Sequence, residues 1–216
     1  MKIKNFILWL YALHFCHIMK YILGKKLGMS QIWEGEKVVP ITLVEAGPCF
    51  VTHIKKTEKD GYSAIQLGFE KLKENKVKKA NKDTPYRYIR EVRAKKEQPI
   101  EVKQGDSVTV ELFEEGDKVK VSAISKGKGF QGVVRRWGFS GFGKTHGVKH
   151  GERAPGSIGS AYPQRVFKGK KMAGRMGSDR VSVKNLKIMN IDKENNLIAL
   201  KGAIPGRKGT LVEIRA

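Results

Sequence analysis

The sequence predicts a mainly β protein, a closed barrel or a sandwich, interrupted by a small basic insert and by a long irregular basic segment. Short apolar runs with period two recur in three blocks, and turn residues separate them. The 40% hydrophobic content of 216 residues is enough to bury a modest core. Residues 126 to 180 follow neither helical nor strand periodicity and hold 13 of the 24 glycines.

In the first block, from residue 20 to 70, YILG, KVVPITLVEA, CFVTHIKK and YSAIQLGFE read as strands. Gly35, Gly47-Pro48 and Asp60-Gly61 supply the turns between them. In the second, 107 to 125, Val108, Val110 and Leu112 alternate with polar residues, and Val119, Val121 and Ala123 do the same after Glu115-Gly116. The third, 181 to 216, has Val181 with Val183, a hairpin around Asp192 to Asn196, Ile198 with Leu200, and Val212 with Ile214. Period two means one buried face, and short strands at this spacing favour closure. Between the first two blocks the Lys- and Arg-rich stretch from 71 to 100 reads as a small helical insert. Asp83 or Thr84 would cap a helix with Tyr86, Ile89 and Val92 at i, i+3 and i+6. A solvated helical face explains many of its lysines.

The first eighteen residues stand apart. FILWLYALHFCHI, 6 to 18, is an uncharged, mostly apolar run behind Lys2 and Lys4, but it has no small-x-small cleavage site. His14 and His17 interrupt it, and it is short of the ~20 residues that span a bilayer. It reads as an extension outside the fold preceding Met19, the alternative being an anchoring or targeting segment. Cys16 and Cys49 are too few and too far apart for a disulfide scaffold, so the chain reads as intracellular. No CxxC or paired Cys/His spacing favours a metal.

Charge narrows the partner. With 43 Lys plus Arg against 21 Asp plus Glu, the chain carries +22 and calls for a polyanion, nucleic acid before anionic membrane. Half of that excess lies in 126 to 180, where 13 Lys or Arg meet only Glu152 and Asp179. Arg135, Arg136, Arg153, Arg165 and Arg175 offer planar donor forks. Lys126, Lys128, Lys144, Lys149, Lys168, Lys170 and Lys171 are compact charges. Trp137, Phe139, Phe142 and Tyr162 either stack on unpaired bases or pack locally. A segment so rich in glycine suits the irregular crevices of folded RNA better than a DNA groove, and no helix-turn-helix, zinc finger or basic zipper is present.

Two phosphate-loop patterns fail on context. Gly127-Lys-Gly-Phe-Gln-Gly132 is a GxGxxG with Glu152 twenty residues beyond it, yet VVRRW runs into Gly138, Gly141 and Gly143. A helix facing a pyrophosphate and a βαβ unit are therefore not expected. Gly138 to Thr145 matches the Walker A letters, but HGVKHGERAPGS follows, with three glycines and a proline. His146 and His150 lack a helix and a third ligand, so nucleic-acid contact or solvent exposure remains for them. Ser157 and Ser160 have no base and orienting acid in a set place. The rival readings, a nucleotide-dependent enzyme using Lys144 and Thr145 or Gly127 to Gly132, and a membrane-surface protein held by residues 6 to 18, rank below RNA binding.

KYILGKKLGMSQIW at 20 to 33, DGYSAIQLGF at 60 to 69, SKGKGFQGVVRRWGF at 125 to 139 and THG at 145 to 147 resemble one known family. RAPGSIG and VFKGKKMAGRMG within 153 to 177, and NLIALKGAIPG at 196 to 206, extend the match. Over residues 19 to 216 the chain resembles the bacterial-type universal large-subunit ribosomal protein three. The resemblance implies a Greek-key barrel like that of translation factors, in three parts over 19–70, 101–125 and 181–216. It also implies a small α/β insert over 71–100 and an extension over 126–180 that enters the large subunit towards the peptidyl-transferase region. It implies early binding of large-subunit ribosomal RNA and neighbouring ribosomal proteins as partners, on a bacterial or organelle ribosome. No catalysis, cofactor, metal, small-molecule substrate, membrane or homo-oligomer is implied. Lys126, Lys128, Arg135, Arg136, Trp137, His146, Arg153, Lys168, Lys170, Lys171 and Arg175 would line the RNA, with Lys25 and Lys26 added from the barrel. Lys144, Lys149, His150 and Arg165 join them by their place in the same segment. Residues 1 to 18 precede the family's usual start, Lys120 stands where an acid is typical, and SAYPQR at 160 to 165 is shorter than the usual tip. Gln164 does not align with the glutamine methylated in some members, so that modification is not predicted.

Overall fold

The computed structural model describes residues 20–93 and 102–216. The apolar run 6–18 and the last part of the expected insert, 94–100, lie outside the described residues. The chain divides into two units, one comprising residues up to Ile124 together with Arg180–Ala216, the other Ser125–Asp179.

The first unit is mainly β. Strands β1 (Tyr21–Glu34), β2 (Lys37–Ala46), β7 (Lys118–Ile124), β10 (Arg180–Asp192), β11 (Leu197–Lys201) and β12 (Leu211–Arg215) close into a barrel in the order β1-β12-β7-β10-β11-β2. Every neighbouring pair is antiparallel. Alternation decides the inward face: Val119 and Val121 on β7, Ile198 and Leu200 on β11, and Val212 and Ile214 on β12 are fully buried. Two long strands make closure possible. β1 pairs with β12 at its start and β2 along its length, with a register shift between Lys26 and Gly28. β10 pairs first with β7 and then with β11, with shifts at Val183/Leu186 and Ile188/Asn190. Such bulges bend a strand so that it serves two neighbours. The expected hairpin after β10 forms, with Asp192 Oδ1 accepting from the backbone N–H of Glu194 and of Asn195. Those bonds, and the Asn195 side-chain amide above all, hold the Asp192 carboxyl below its usual range.

The barrel is smaller than the sequence reading had it. After β2 the chain changes sheet at Gly47-Pro48. β3 (Cys49–Lys55) and β4 (Ala64–Lys71), read as barrel strands, instead join β5 (Tyr86–Arg93) and β6 (Ser107–Val108) in a separate sheet, order β5-β4-β3-β6. The strand expected through Val110 and Leu112 stops after Val108, and Val110–Leu112 is a 3-10 turn that buries Val110. Both sheets share one core, in which Ile22, Val44 and Leu200 of the barrel continue into Val51, Leu67 and Phe69 of the second sheet.

The helix expected around Tyr86, Ile89 and Val92 is corrected to strand β5. Its spacing fits a helix, but Tyr86, Tyr88 and Val92 also fit period two, and aromatic and β-branched residues favour a pleated surface. The edge of β4 supplies a ladder from Ala64↔Arg93 to Lys71↔Tyr86, which outweighs one short amphipathic helix. The described part of the insert is thus a strand preceded by the 3-10 turns Glu74–Lys76 and Lys79–Asn81.

Candidate nucleic-acid interface

The second unit opens and closes on itself. Ser125 N–H donates to the Asp179 carbonyl at 2.9 Å and Lys128 N–H to the Met176 carbonyl at 2.9 Å. β8 (Gly129–Gln131) and β9 (Gly174–Met176) form a two-stranded ribbon in which Phe130 faces Arg175. Gly177 has φ +79, and a Cβ there would lie 2.2 Å from the Lys126 carbonyl, so only glycine lets the two chain ends approach this closely.

A five-residue helix, Val133–Trp137, follows β8, capped by Gly132 and ended by Gly138 in the left-handed region. The sequence reading expected no helix here. One exists because VVRRW lies between two glycines, but it offers little more than a turn. β8 pairs antiparallel with β9 and not in a parallel βαβ unit, so the dinucleotide geometry is still missing. No helix follows Lys144 and Thr145.

This helix organises the predicted cations. Arg136 donates to the Met172 carbonyl at 2.8 Å, and Trp137 Nε1 donates to the same oxygen at 2.9 Å. The Arg136 guanidinium lies 4.9 Å and the Lys171 ammonium 5.6 Å from the centre of the Trp137 ring. A Cβ on Gly174 would meet the Arg136 fork at 2.6 Å, so that glycine makes room for it. Arg135 donates to Gln131 Oε1 at 3.2 Å, and Gln131 in turn bonds the Lys128 carbonyl. The sequence reading missed Gln131 and the Met172 carbonyl; the Met172 bonds join residues 36 and 35 positions apart, beyond any local pattern.

From Gly138 to Ala173 the chain has no regular element. Phe142 N–H donates to the Glu152 carbonyl at 3.0 Å, and Gly141 allows that approach, since a Cβ would sit 2.2 Å from the same oxygen. Lys144 meets Glu152 at 3.5 Å, the only carboxylate pair of the unit among the described residues, and both partners are largely exposed. An exposed pair of this kind contributes little. Lys126, Lys128, Lys149, Arg153, Arg165, Lys168, Lys170, Lys171 and Arg175 point to solvent, as do His146 and His150. Tyr162 is 85% and Phe130 77% exposed, and Val133 is the one buried apolar side chain of the unit. Aromatic surface, cations mostly without a carboxylate partner and glycine-exposed amides therefore share one coreless segment.

A family described as ribosomal protein L3 matches residues 100–197. Large ribosomal subunit protein uL3 of Thermosipho melanesiensis is 47% identical over 205 residues, covering 92% of this chain and 98% of the relative. The uL3 proteins of Fervidobacterium nodosum and Salinispora tropica are 45% and 48% identical, covering 92% and 91% of this chain and 98% and 93% of their own. The chain belongs to the ribosomal protein L3 family.

Within this L3 chain the two barrel lysines differ from the extension's. Lys25 lies 3.6 Å from Glu70 and keeps about a third of its side chain exposed. Lys26 is 9% exposed, and its ammonium donates to the carbonyls of Ile204 at 2.8 Å and Gly206 at 3.2 Å. It ties the loop before β12 to β1. A buried ammonium needs such acceptors. Among the described residues no group of His, Cys, Asp or Glu is placed to hold a metal ion, and no helix is long and apolar enough to cross a membrane.

Proposed function

We propose that this L3-family chain is a structural constituent of the large ribosomal subunit that binds large-subunit ribosomal RNA through residues 125–179. It supports early subunit assembly, is not itself catalytic, and sends that segment towards the peptidyl-transferase region. The observation that carries the reading is a fifty-five-residue unit with one buried apolar side chain and a single, exposed carboxylate pair, so that all but one of its many cations have no carboxylate partner among the described residues. Such a segment cannot pay for its own order by burial, whereas RNA phosphates supply counter-charge and shape. The barrel, with its separate core, gives it a stable base in the sequence.

Sedimentation of the tagged protein from lysate at ~0.5 M salt tests the assignment, because exposed phosphate contacts alone are strongly weakened there. Co-migration with large subunits is expected; recovery only in the membrane or free fraction overturns it. Each phosphate neutralised contributes about 0.7 to 0.9 to the log–log salt slope, so Lys168, Lys170 and Lys171 changed together to Gln reduce the slope for ribosomal RNA by roughly two. An unchanged slope removes the three from the contact.

A further inference from the structure

Across the β12–β7 pair, Arg215 stands directly opposite Lys120. Like charges opposite each other on antiparallel strands destabilise the pair, and stability alone would favour an acid at one of the two positions. Both side chains leave the barrel on its outer face, because their neighbours Val119, Val121 and Ile214 are buried inside it. There they line a polar concavity of about 210 Å³, completed by Arg93 of β5 and Arg180 of β10.

Two carboxylates also line this concavity, and both are occupied. Glu213 is held by Arg180 and by Arg90 at 3.5 Å. Glu91 is held by Lys55 at 2.8 Å and by the Tyr62 hydroxyl at 2.9 Å, and these partners, Lys55 foremost, keep its carboxyl below the usual range. Among the described residues no carboxylate or hydrogen-bond partner reaches the side chains of Lys120 or Arg215. Among the described residues the Arg93 side chain meets the Tyr62 ring, 4.8 Å from its centre, and no carboxylate. Three uncompensated cations thus converge from three strands, two belonging to the barrel and one to the second sheet.

We infer that this concavity binds a phosphodiester of an RNA backbone, a contact of the barrel unit separate from residues 125–179. Convergence from three directions suits a tetrahedral oxyanion, whose several oxygens accept from two guanidinium forks and an ammonium at once; a carboxylate satisfies one fork. An anion bound in the concavity relieves the like-charge pair Lys120–Arg215. The inference rests on the RNA-binding reading above.

Lys120→Glu in the full chain separates binding from stability, since the new carboxylate would pair with Arg215 across the strands. The thermal midpoint rises, while the salt slope for deproteinised large-subunit ribosomal RNA falls by about one. Lys120→Gln with Arg215→Gln is the second variant, with a slope lower by about one and a half and an unchanged fold by circular dichroism. Wild-type protein without salt-dependent RNA binding would sink the RNA reading itself. Wild-type binding with the slope unchanged in both variants would sink this pocket alone. Inorganic phosphate at constant ionic strength distinguishes the source of the anion: stabilisation of wild type but not of the double variant, with unchanged RNA slopes, assigns the pocket to free phosphate and overturns the proposal.

Discussion

Cys49 has no exposed surface on β3, and its thiol donates to the Leu23 carbonyl at 3.4 Å. Burial pushes the thiol from 9.0 up to about 12. The unfolded chain therefore loses that proton first, and folding stability falls as pH rises from about 9 towards about 12. Burial, with Glu213 adding to it, likewise raises the Tyr21 phenol, so Tyr21 contributes to the fall only above about 10. In Cys49→Ala the decline in thermal midpoint between pH 9 and 10 flattens; equal slopes in the two proteins would remove Cys49 as its cause. At this scale the sequence named the charged and polar residues, and the structure adds that Cys49 is a buried free thiol. The sequence did not show where lone charges go. Lys25 and Lys26 are adjacent and alike on paper, yet β1 turns one to Glu70 and buries the other against two carbonyls.

Among the elements, β5 depends on a glycine of its neighbour. Gly68 on β4 stands opposite Phe50 on one side and Ile89 on the other, and the Tyr86 ring crosses it to stack on Phe50 at 5.7 Å. A Cβ on Gly68 would lie 2.5 Å from Tyr86 Cγ, the root of the ring, which cannot swing clear without leaving Phe50. Gly68→Ala is expected to destabilise by about 1–3 kcal/mol, as overpacking does. In a Tyr86→Ala background the same substitution should cost markedly less; equal costs in chemical denaturation would refute the clash. Strands with clean alternation, such as Val119–Val121 and Val212–Ile214, were legible because period two reports one buried face directly. β5 was not, since Tyr86, Ile89 and Val92 satisfy a helical repeat as well and the deciding ladder comes from β4, fifteen or more residues away. Assignment of β3 and β4 to a second sheet was equally hidden, because strand period says nothing about which edge a strand will join.

Over the whole molecule, stability and charge are divided between the two units. Buried side chains from Ile22 to Ile214 form a continuous core through the barrel and second sheet, each large one stabilising by about 1.5–3 kcal/mol. Residues 125–179 bury only Val133 and close on the β8–β9 ribbon. Amide exchange in the RNA-free protein is expected to be slowest in β1, β11 and β12 and fastest across 139–172, where few backbone hydrogen bonds exist, with ribosomal RNA slowing the latter. Equal protection of both units without RNA would contradict this division. Composition by itself showed the cationic excess that favours a polyanion and that 126–180 holds too little apolar surface for a core, because net charge and apolar content are sums over residues and need no geometry. Pairing was decided only by the tertiary structure: Lys120 opposite Arg215, Trp137 and Arg136 sharing the Met172 carbonyl, Lys26 sealed beneath the loop before β12. Those contacts join residues far apart in the chain, and their energies depend on distance and burial, which exist only once the barrel has closed.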